Sequence, residues 1–418
     1  MENYKKDKSN SSKKFKVLVI VLAAVLLIGS NGVSIFLGNK LASEGILLPG
    51  IKNSQSDQLL LTGEFEKYRK LFSIREELYK KYDGTIDDSK LLDGAIKGMT
   101  NALGDPYTVY MTKEEASDFM SKMQGNFSGV GIQLDVKDNK IVVVTPIEGS
   151  PAEKAGILKG DVILKVDDKD VTAEEYDKVI TMIRGTKGTN VKLTLTREGK
   201  GIFEANLTRD TITVKSVKEE IIQDGIALVS ISSFDEHTDQ EFLDTLNSLK
   251  TKGVKGIILD LRGNPGGYLS TAVNVVSQFI PKDKVIVSTK DKNGSEEKSF
   301  STGGDYIGAP LVVLVDDSTA SAAEIVAGAL KDYKAATLAG VTTFGKGVVQ
   351  SPIEMSDGTL LKVTVSKWYT PNGNNIHKAG IEPDVKVEYS KELLSSPYNR
   401  STDPQFAQAL ELIKEKIK

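Results

Sequence analysis

Cysteine is absent from the 418-residue chain. That removes thiolate catalysis, cysteine-ligated zinc and disulfide scaffolds together. Histidine is nearly absent too, with only His237 and His377 present. A multi-histidine metal site is therefore not expected, and any serine–histidine mechanism would have to use one of these two. A basic excess is also missing. The formal net charge is −3, and six lysines in the first 16 residues face only Glu2 and Asp7, so the remaining body is more acidic than the total. This is the wrong sign for a phosphate-binding surface, and no nucleic-acid partner is expected. Glycine (37) and proline (12) are too few for a low-complexity chain. What is present is 39% hydrophobic and 27% charged residues, the balance of a folded, soluble protein of two or three units at roughly 100–200 residues each. Disordered, fibrous and polytopic membrane classes are excluded.

The longest apolar run sets the expected location. Residues 1–16 are polar and lysine-rich, Val17 to Asn39 carry no charge, and Val17 to Ile28 is unbroken apolar sequence. As a helix, the uncharged stretch spans about 34 Å, against a hydrocarbon core of roughly 30 Å. Residues 17–38 are thus expected to form a single-pass anchor in the cell membrane. The lysine flank 1–16 would be a cytoplasmic tail and the body would lie on the extracytoplasmic side. The same run, followed by Ser30-Asn31-Gly32, also fits a cleaved signal peptide. Either reading exports the body, and a cysteine-free chain needs no oxidising folding pathway.

Residues 39–60 read as a linker and 61–121 as a helical N-terminal region. There, EFEKYRKLFSIREELYKKY and SKLLDGAIKGMTNAL repeat apolar residues at three and four. Two amphipathic helices packing on each other explain the pattern, and dimerisation is the alternative use. From 122 to 207 the pattern shortens to alternating strands. FSGVGIQLDVKDNKIVVVTPI gives a glycine-containing loop and two strands with Asp138-Asn139 at their turn. SPAEKAGILKGDVILKV then gives a short helix over Pro151–Ala155 and a strand over Val162–Val166. Thr172, three residues before Glu175, is expected to cap a further helix. This segment resembles a PDZ domain of the bacterial, circularly permuted kind. The resemblance implies that Gly129-Val130-Gly131, with Ile132 beside the groove, holds a peptide's terminal carboxylate while the peptide adds as a strand. Successive N–H groups without a Cβ in the way form an anion nest; an ordinary tight turn is the bland alternative.

From 208 to 390 strands alternate with helices, an α/β pattern, and residues 391–418 form a helical tail in pattern. Three loops carry candidate chemistry. Asp260-Leu261-Arg262-Gly263-Asn264-Pro265-Gly266-Gly267 follows a buried strand, and such a glycine turn can present the free N–H groups of an oxyanion hole or merely lead into a helix. After Leu311–Val315, the run DDSTASAAE places Ser321 at a helix start. There its hydroxyl would meet the positive end of the dipole and the Ala322 N–H would be free. Serine at that position is ordinarily an N-cap, and Ser318 and Thr319 are rival hydroxyls. Thr342-Thr343-Phe344-Gly345-Lys346-Gly347-Val348-Val349-Gln350 flanks one lysine with glycines. Lysine acts as a general base only when neutral, which burial favours by lowering its pKa from about 10.4. Gln350 could orient the amine, but in an extended strand it would lie about 13 Å away, so cooperation requires a bend. The stretch 358–365 reads as a strand that either pairs with an extended substrate or lies inside a sheet.

DLRGNPGG, STASAAEIVAGALKD, TTFGKGVVQ and WYTPNGNNIHKAGIEPD, in this order behind the PDZ-like segment, resemble the carboxyl-terminal processing proteases. These are tail-specific serine proteases with a Ser-Lys pair. LDGAIKGMTNALGDPYTVYM also fits their amino-terminal region, so the likeness runs from about Leu61 to Tyr389. It implies Ser321 as nucleophile, Lys346 as general base and Gln350 as its orienting partner. The oxyanion hole would comprise the Ala322 amide with Gly266 or Gly267. It also implies a gating role for Arg184 in IRGTKGT, a crotonase/Clp-protease-like α/β core, peptide substrates with free C-termini, a homodimer, and no cofactor or metal. His237 and His377 are read as structural. The competing functions are a non-catalytic PDZ adaptor, which predicts damaged catalytic positions, and a crotonase-type acyl-CoA enzyme, which has no use for an export segment or a PDZ module.

Overall fold

Strand and helix periodicities in this chain resolve into elements whose order explains how distant loops meet. The computed structural model describes residues 64–418 apart from 224, 391–392 and 394–397. The expected tail 1–16, anchor 17–38 and linker 39–60 lie outside the described residues. Among the described residues no helix is long and apolar enough to cross a membrane. The chain divides into two units, 1–87 and 88–418. In the first, helix α1 (Glu64–Lys81) carries Glu76–Lys80 and Glu77–Lys81 ion pairs, both at 2.8 Å. Their spacing and Glu-before-Lys order favour the helix.

The second unit opens with α2 (Asp88–Asn101), β1 (Val109–Met111) and α3 (Lys113–Met123). Helix α3 starts at a Thr112–Glu115 capping box. Its PDZ-like part comprises β2 (Asn126–Gly129), β3 (Ile132–Lys137), β4 (Lys140–Pro146), α4 (Pro151–Lys154), β5 (Val162–Val166), β6 (Lys169–Asp170), α5 (Tyr176–Ile183), β7 (Asn190–Arg197), β8 (Gly201–Thr208) and β9 (Asp210–Thr213). The main sheet runs β3-β4-β5-β7-β8 with β6 on β5, and β2 pairs with β9. Its core includes Ile141, Ile163, Val179, Leu193 and Leu195. Asp138 and Asn139 turn between β3 and β4 with φ of 50° and 58°, the left-handed pair that a two-residue hairpin requires. One expected cap does not form. Thr172 makes no side-chain cap bond, and Ala173–Glu175 is a 3₁₀ turn ahead of α5. Glu175 pairs with Lys178 at 2.6 Å.

The remaining elements are β10 (Val217–Gln223), β11 (Ile226–Ile231), α6 (Thr238–Thr251), β12 (Gly256–Asp260), α7 (Leu269–Ser277), β13 (Val285–Asp291), β14 (Glu296–Phe300), β15 (Leu311–Val315), α8 (Ala322–Asp332), β16 (Thr337–Gly340), β17 (Val348–Glu354), β18 (Leu360–Tyr369), β19 (Val385–Lys386) and α9 (Pro404–Lys416). One sheet runs β10-β11-β12-β15-β16-β19 and is parallel from β11 onward. Its strands are continuous apolar runs because both faces are covered. Val229, Leu259 and Val313 face Phe242, Val276 and Val326 of helices α6, α7 and α8, whereas Leu228, Ile258 and Leu314 face Phe406, Ala409 and Ile413 of α9. The C-terminal helix therefore caps this core. Because β12 and β15 are parallel neighbours, the glycine loop after one and the serine loop after the other emerge at the same sheet end.

The second sheet runs β1-β18-β13-β14, with β17 also on β18. Strand β18 is internal. Strand β17 pairs along one side, and β1 and then β13 pair along the other. The stretch 358–365 is thus not the open strand. Among the described residues β17 pairs with β18 alone, so its outer edge is the free one. Pro352 sits on it, as an edge allows.

Helix α9 is locked to the glycine loop by buried charge. The Arg262 side chain is 12% exposed and that of Asp403 fully buried. Arg262 donates to Asp260 through Nε (2.9 Å) and Nη2 (2.8 Å), and through Nη1 to Asp403 (2.8 Å), Gln405 (3.1 Å) and the Tyr389 hydroxyl (3.0 Å). Asp403 also caps α9, accepting from the Gln405 and Phe406 N–H groups at 2.9 and 3.0 Å. Burial alone would raise its pKa. Hydrogen bonds from Tyr389, the Phe406 N–H and Arg262 outweigh burial and hold it below the usual carboxylate range. Arg262→Met removes one partner and leaves two carboxylates, so denaturant unfolding should show a loss of roughly 3–5 kcal/mol. The depressed Asp403 pKa contributes stability that is present above the unfolded value of about 3.9 and lost as pH falls through the folded value. Stability curves of wild type and Asp403→Asn should therefore converge in acid below about pH 4 and separate above it; parallel curves would remove this role.

Candidate active site

Ser321 stands directly after β15 and its loop, at the N-terminus of α8. An N-cap serine ordinarily has extended backbone angles and turns its hydroxyl onto the helix N–H groups. Ser321 has φ 55° and ψ −119°, a region that L-residues avoid at a cost on the order of 1–3 kcal/mol. The Glu324 N–H donates to the Ser321 carbonyl at 2.8 Å, and the hydroxyl makes no hydrogen bond to a described residue. Ser321 therefore occupies the N-cap position in a capping-box arrangement with Glu324 while its hydroxyl forms no cap hydrogen bond. Of the rival hydroxyls, Thr319 is buried and donates to the Leu261 carbonyl, while Ser318 is exposed beside Asp317.

The fully buried carboxylate of Glu324 ties the serine turn to the lysine loop. One oxygen accepts from the Thr343 hydroxyl (2.6 Å) and the Gly345 N–H (2.7 Å), the other from the Ser321 N–H (2.8 Å) and the Lys346 N–H (2.9 Å). The Lys346 carbonyl accepts from the Trp368 indole at 2.9 Å, so its backbone is held on both sides. Glycine is required beside it. A Cβ on Gly347 would lie 2.5 Å from the His377 nitrogen, and one on Gly345, where φ is 88°, would lie 2.9 Å from that of Gly380.

The Lys346 amine lies 4.8 Å from the centroid of the Tyr107 ring. Burial lowers its pKa most, the nearby Lys362 charge lowers it further, and Glu324 and Asp105 act in the opposite direction; the net shift is downward. No hydrogen bond joins Lys346, Ser321 and Gln350. Gln350 lies where the pairing of β17 with β18 shifts register, Val349 facing Ser366 and Gln350 facing Thr364, with Val365 of β18 as the extra residue. Its amide nitrogen is buried without a partner.

Ser321, Ala322, Gly266, Gly267, Lys346 and Gln350 line one cavity of about 570 Å³. A Cβ on Gly266 would sit 2.7 Å from that of Ser321, and one on Gly267 would sit 2.0 Å from the Phe234 carbonyl. Both glycines are dictated by close approach. They differ in their amides. Gly266 donates to Asn264 Oδ1 at 2.8 Å, whereas the Gly267 and Ala322 amides have no partner among the described residues. Asn264 is fully buried and also donates to the Ile231 carbonyl.

Gly129, Val130, Gly131, Ile132 and Arg184 line a second cavity, of about 450 Å³, in the PDZ-like part. Ile147 and Ser150 donate to the Gly131 carbonyl, while the Val130 and Gly131 amides donate to no described residue. Arg184 lies over the Phe127 ring at 5.4 Å and away from the catalytic cavity's lining. Neither histidine lines that cavity. His237 is exposed at the start of α6, and His377 packs edge-on against Tyr107 with its Nδ1 buried and unpartnered.

Sequence reasoning missed Glu324, Tyr107, Asn264 and Lys362, a second lysine lining the catalytic cavity. The spacing Ser321-x-x-Glu324 is a capping-box signature and could have singled out Glu324. Asn264 lies inside the glycine loop already singled out, whereas Tyr107 and Lys362 are brought in from distant segments and have no local signal.

Comparison with known proteins matches residues 225–387 to peptidase family S41, residues 142–197 to the PDZ domain family and residues 26–115 to the N-terminal domain of the activating protease CtpB. The carboxy-terminal processing protease CtpA of Bacillus subtilis (strain 168) is 44% identical over 379 residues, covering 90% of this chain and 77% of that protein. CtpB of the same organism is 34% identical over 390 residues, covering 91% of this chain and 80% of its own length. The solved photosystem II D1 C-terminal processing protease aligns at 30% identity and a TM-score of 0.47, over 80% of this chain and 94% of that one. With CtpA and CtpB matched along nine-tenths of its length, the chain belongs to peptidase family S41 and is a serine-type peptidase of the carboxy-terminal processing group, carrying a PDZ domain.

Proposed function

We propose that the chain is an endopeptidase that cuts polypeptides by a Ser-Lys mechanism after its PDZ domain has taken hold of their free C-termini. The observation that carries this reading is the released Ser321 hydroxyl, flanked by the unpartnered Ala322 and Gly267 amides in a cavity that also admits the Lys346 amine. Neutral Lys346 takes the hydroxyl proton as Ser321 attacks the peptide carbonyl, and the amine then gives that proton to the leaving nitrogen. The Ala322 and Gly267 amides hold the tetrahedral oxyanion, and water hydrolyses the acyl-enzyme. Gly266 supports the hole without donating to it, since its amide serves Asn264. For proton transfer the Lys346 amine swings from the face of Tyr107 toward Ser321 within the same cavity, and Gln350 offers it an otherwise unpartnered amide.

The free Val130 and Gly131 amides support the carboxylate loop, with Arg184 at its side as the residue that would couple the groove to the active site. The parallel sheet covered by α6, α7 and α8 supports a crotonase/Clp-protease-like reading of the core. The lysine-rich segment 1–16 and the uncharged run after it support a body held outside the cell membrane, and the homodimer is carried over from the family resemblance.

The test is cleavage of an unfolded protein such as casein by the full-length chain. Ser321→Ala and Lys346→Ala should each lose at least about 10³-fold in kcat, and the double variant His237→Ala/His377→Ala should retain cleavage. Loss of cleavage in a folded histidine variant would remove the lysine base. Silence from wild type, with tight binding of C-terminal peptides, would favour the adaptor.

Because Lys346 must be neutral, kcat/KM should rise with pH through a midpoint below the ordinary lysine value of about 10.4; a midpoint at or above that value contradicts a buried base. Glu324→Gln places an amide nitrogen against two of its four N–H and O–H donors. It should lower kcat about 10²-fold through misplacement while C-terminal peptide binding is kept. Loss of both would mark a folding role only.

A further inference from the structure

We propose that Lys362 is a substrate-binding residue of the catalytic cavity, whose ammonium group holds a carboxylate of the polypeptide being cut. The inference rests on reading that cavity as the peptidase site and adds to it a preference in substrate chemistry. Lys362 lines the cavity together with Ser321 and Lys346, and no aspartate or glutamate does. Phe119, Met120 and Met123 add apolar lining to the same cavity. Lys362 is half-buried and forms no ion pair or hydrogen bond with a described residue. Its amine lies 5.2 Å from the Phe119 ring centroid.

The backbone under it is fixed, because Lys362 pairs with Pro352 of β17 on one side and Val109 of β1 on the other. Trp368 of the same strand also lines the cavity. The carboxylate whose field reaches Lys362 is that of Asp105. Its oxygens already accept from the Tyr107 N–H (3.0 Å) and the Thr108 hydroxyl (2.7 Å). A half-buried cation with no partner gains from an incoming anion more than an exposed one does, since less water screens the pair. The two lysines of this cavity have different tasks. Lys346 acts neutral and cannot hold an anion, which leaves Lys362 as the cationic group facing the substrate. A peptide can supply the carboxylate from an Asp or Glu side chain or from its own C-terminus.

The experiment uses the full-length chain and paired fluorogenic peptides of otherwise neutral sequence. One set carries a single Asp or Asn scanned along the peptide with an amidated C-terminus; the other compares free acid with amide. Wild type should favour one carboxylate-bearing peptide over its neutral partner by about 10- to 100-fold in kcat/KM, and the set in which this appears identifies the source. Lys362→Met should bring that ratio close to one, Lys362→Arg should restore much of it, and Lys362→Glu should invert it toward a peptide with Lys in place of Asp. No carboxylate preference in wild type, or a preference that survives Lys362→Met, overturns the proposal, and in the latter case assigns selectivity to the PDZ groove. The same ratios are read as affinities by fluorescence anisotropy in the Ser321→Ala background. Absence of cleavage by wild type would then defeat the Ser-Lys reading, while the affinity ratios would still decide the role of Lys362.

Discussion

Glu324 is the constraint on which the active site depends. A carboxylate with no solvent access must have its lone pairs met by donors, and here four donors from two separate loops meet them. Two of the four are the backbone N–H groups of the proposed nucleophile and base. The bond to the Ser321 N–H is one half of a capping box, and in the other half the Ser321 hydroxyl faces the Glu324 N–H without forming a cap hydrogen bond. The serine hydroxyl is thereby freed for chemistry at the position where a helix would otherwise consume it. The Ala322 amide beside it stays free because it lies in the first helical turn, where no preceding carbonyl is in reach.

A left-handed serine persists only where its surroundings over-determine it. Three neighbours do so. Glu324 holds the Ser321 N–H, the Ala320 N–H donates to the Asn264 carbonyl at 2.9 Å, and Gly266 presses so close that no Cβ fits against the Ser321 Cβ. The last two of these contacts cross between the loops after β12 and β15, parallel neighbours in the sheet. The glycine loop is anchored in turn from the other face of that sheet, where Arg262 joins Asp260 to the buried cap of α9. The C-terminal helix thus bears on the oxyanion loop without approaching the catalytic cavity.

The legible parts of the molecule were those written in local sequence. Asp138-Asn139, the strand Val162–Val166 and the apolar runs of the parallel sheet declare themselves within a few residues. Ser321, Lys346 and the glycine pair could be named through a resemblance, and their common cavity follows from the order of parallel strands. Other features depend on partners hundreds of residues apart or on competition that spacing cannot weigh. Gly266 and Gly267 are equivalent in sequence and become distinct only because Asn264 Oδ1 occupies one amide. Thr172 carries a capping signature, yet its side chain makes no cap bond ahead of a 3₁₀ turn. Residues 358–365 read equally as a strand for an extended substrate or as an internal one, and β1, from the stretch read as helical, decides for the second by covering β18.

The resting position of Lys346 has a chemical logic of its own. Burial and the neighbouring Lys362 disfavour its charged form, whereas Glu324 and Asp105 favour it, and the amine rests over the Tyr107 ring. Cation–π attraction acts on an ammonium group and not on a neutral amine. The protonation state and the position of the side chain are therefore coupled. In the proposed mechanism a proton on Lys346 would favour its place over Tyr107, and loss of that proton would both make it a base and weaken that hold. The backbone need not move for this, since Glu324 and Trp368 hold the Lys346 peptide groups on either side. In the proposed mechanism the step would then ask only for a side-chain rotation inside a fixed loop, the least motion that could bring this buried amine to Ser321.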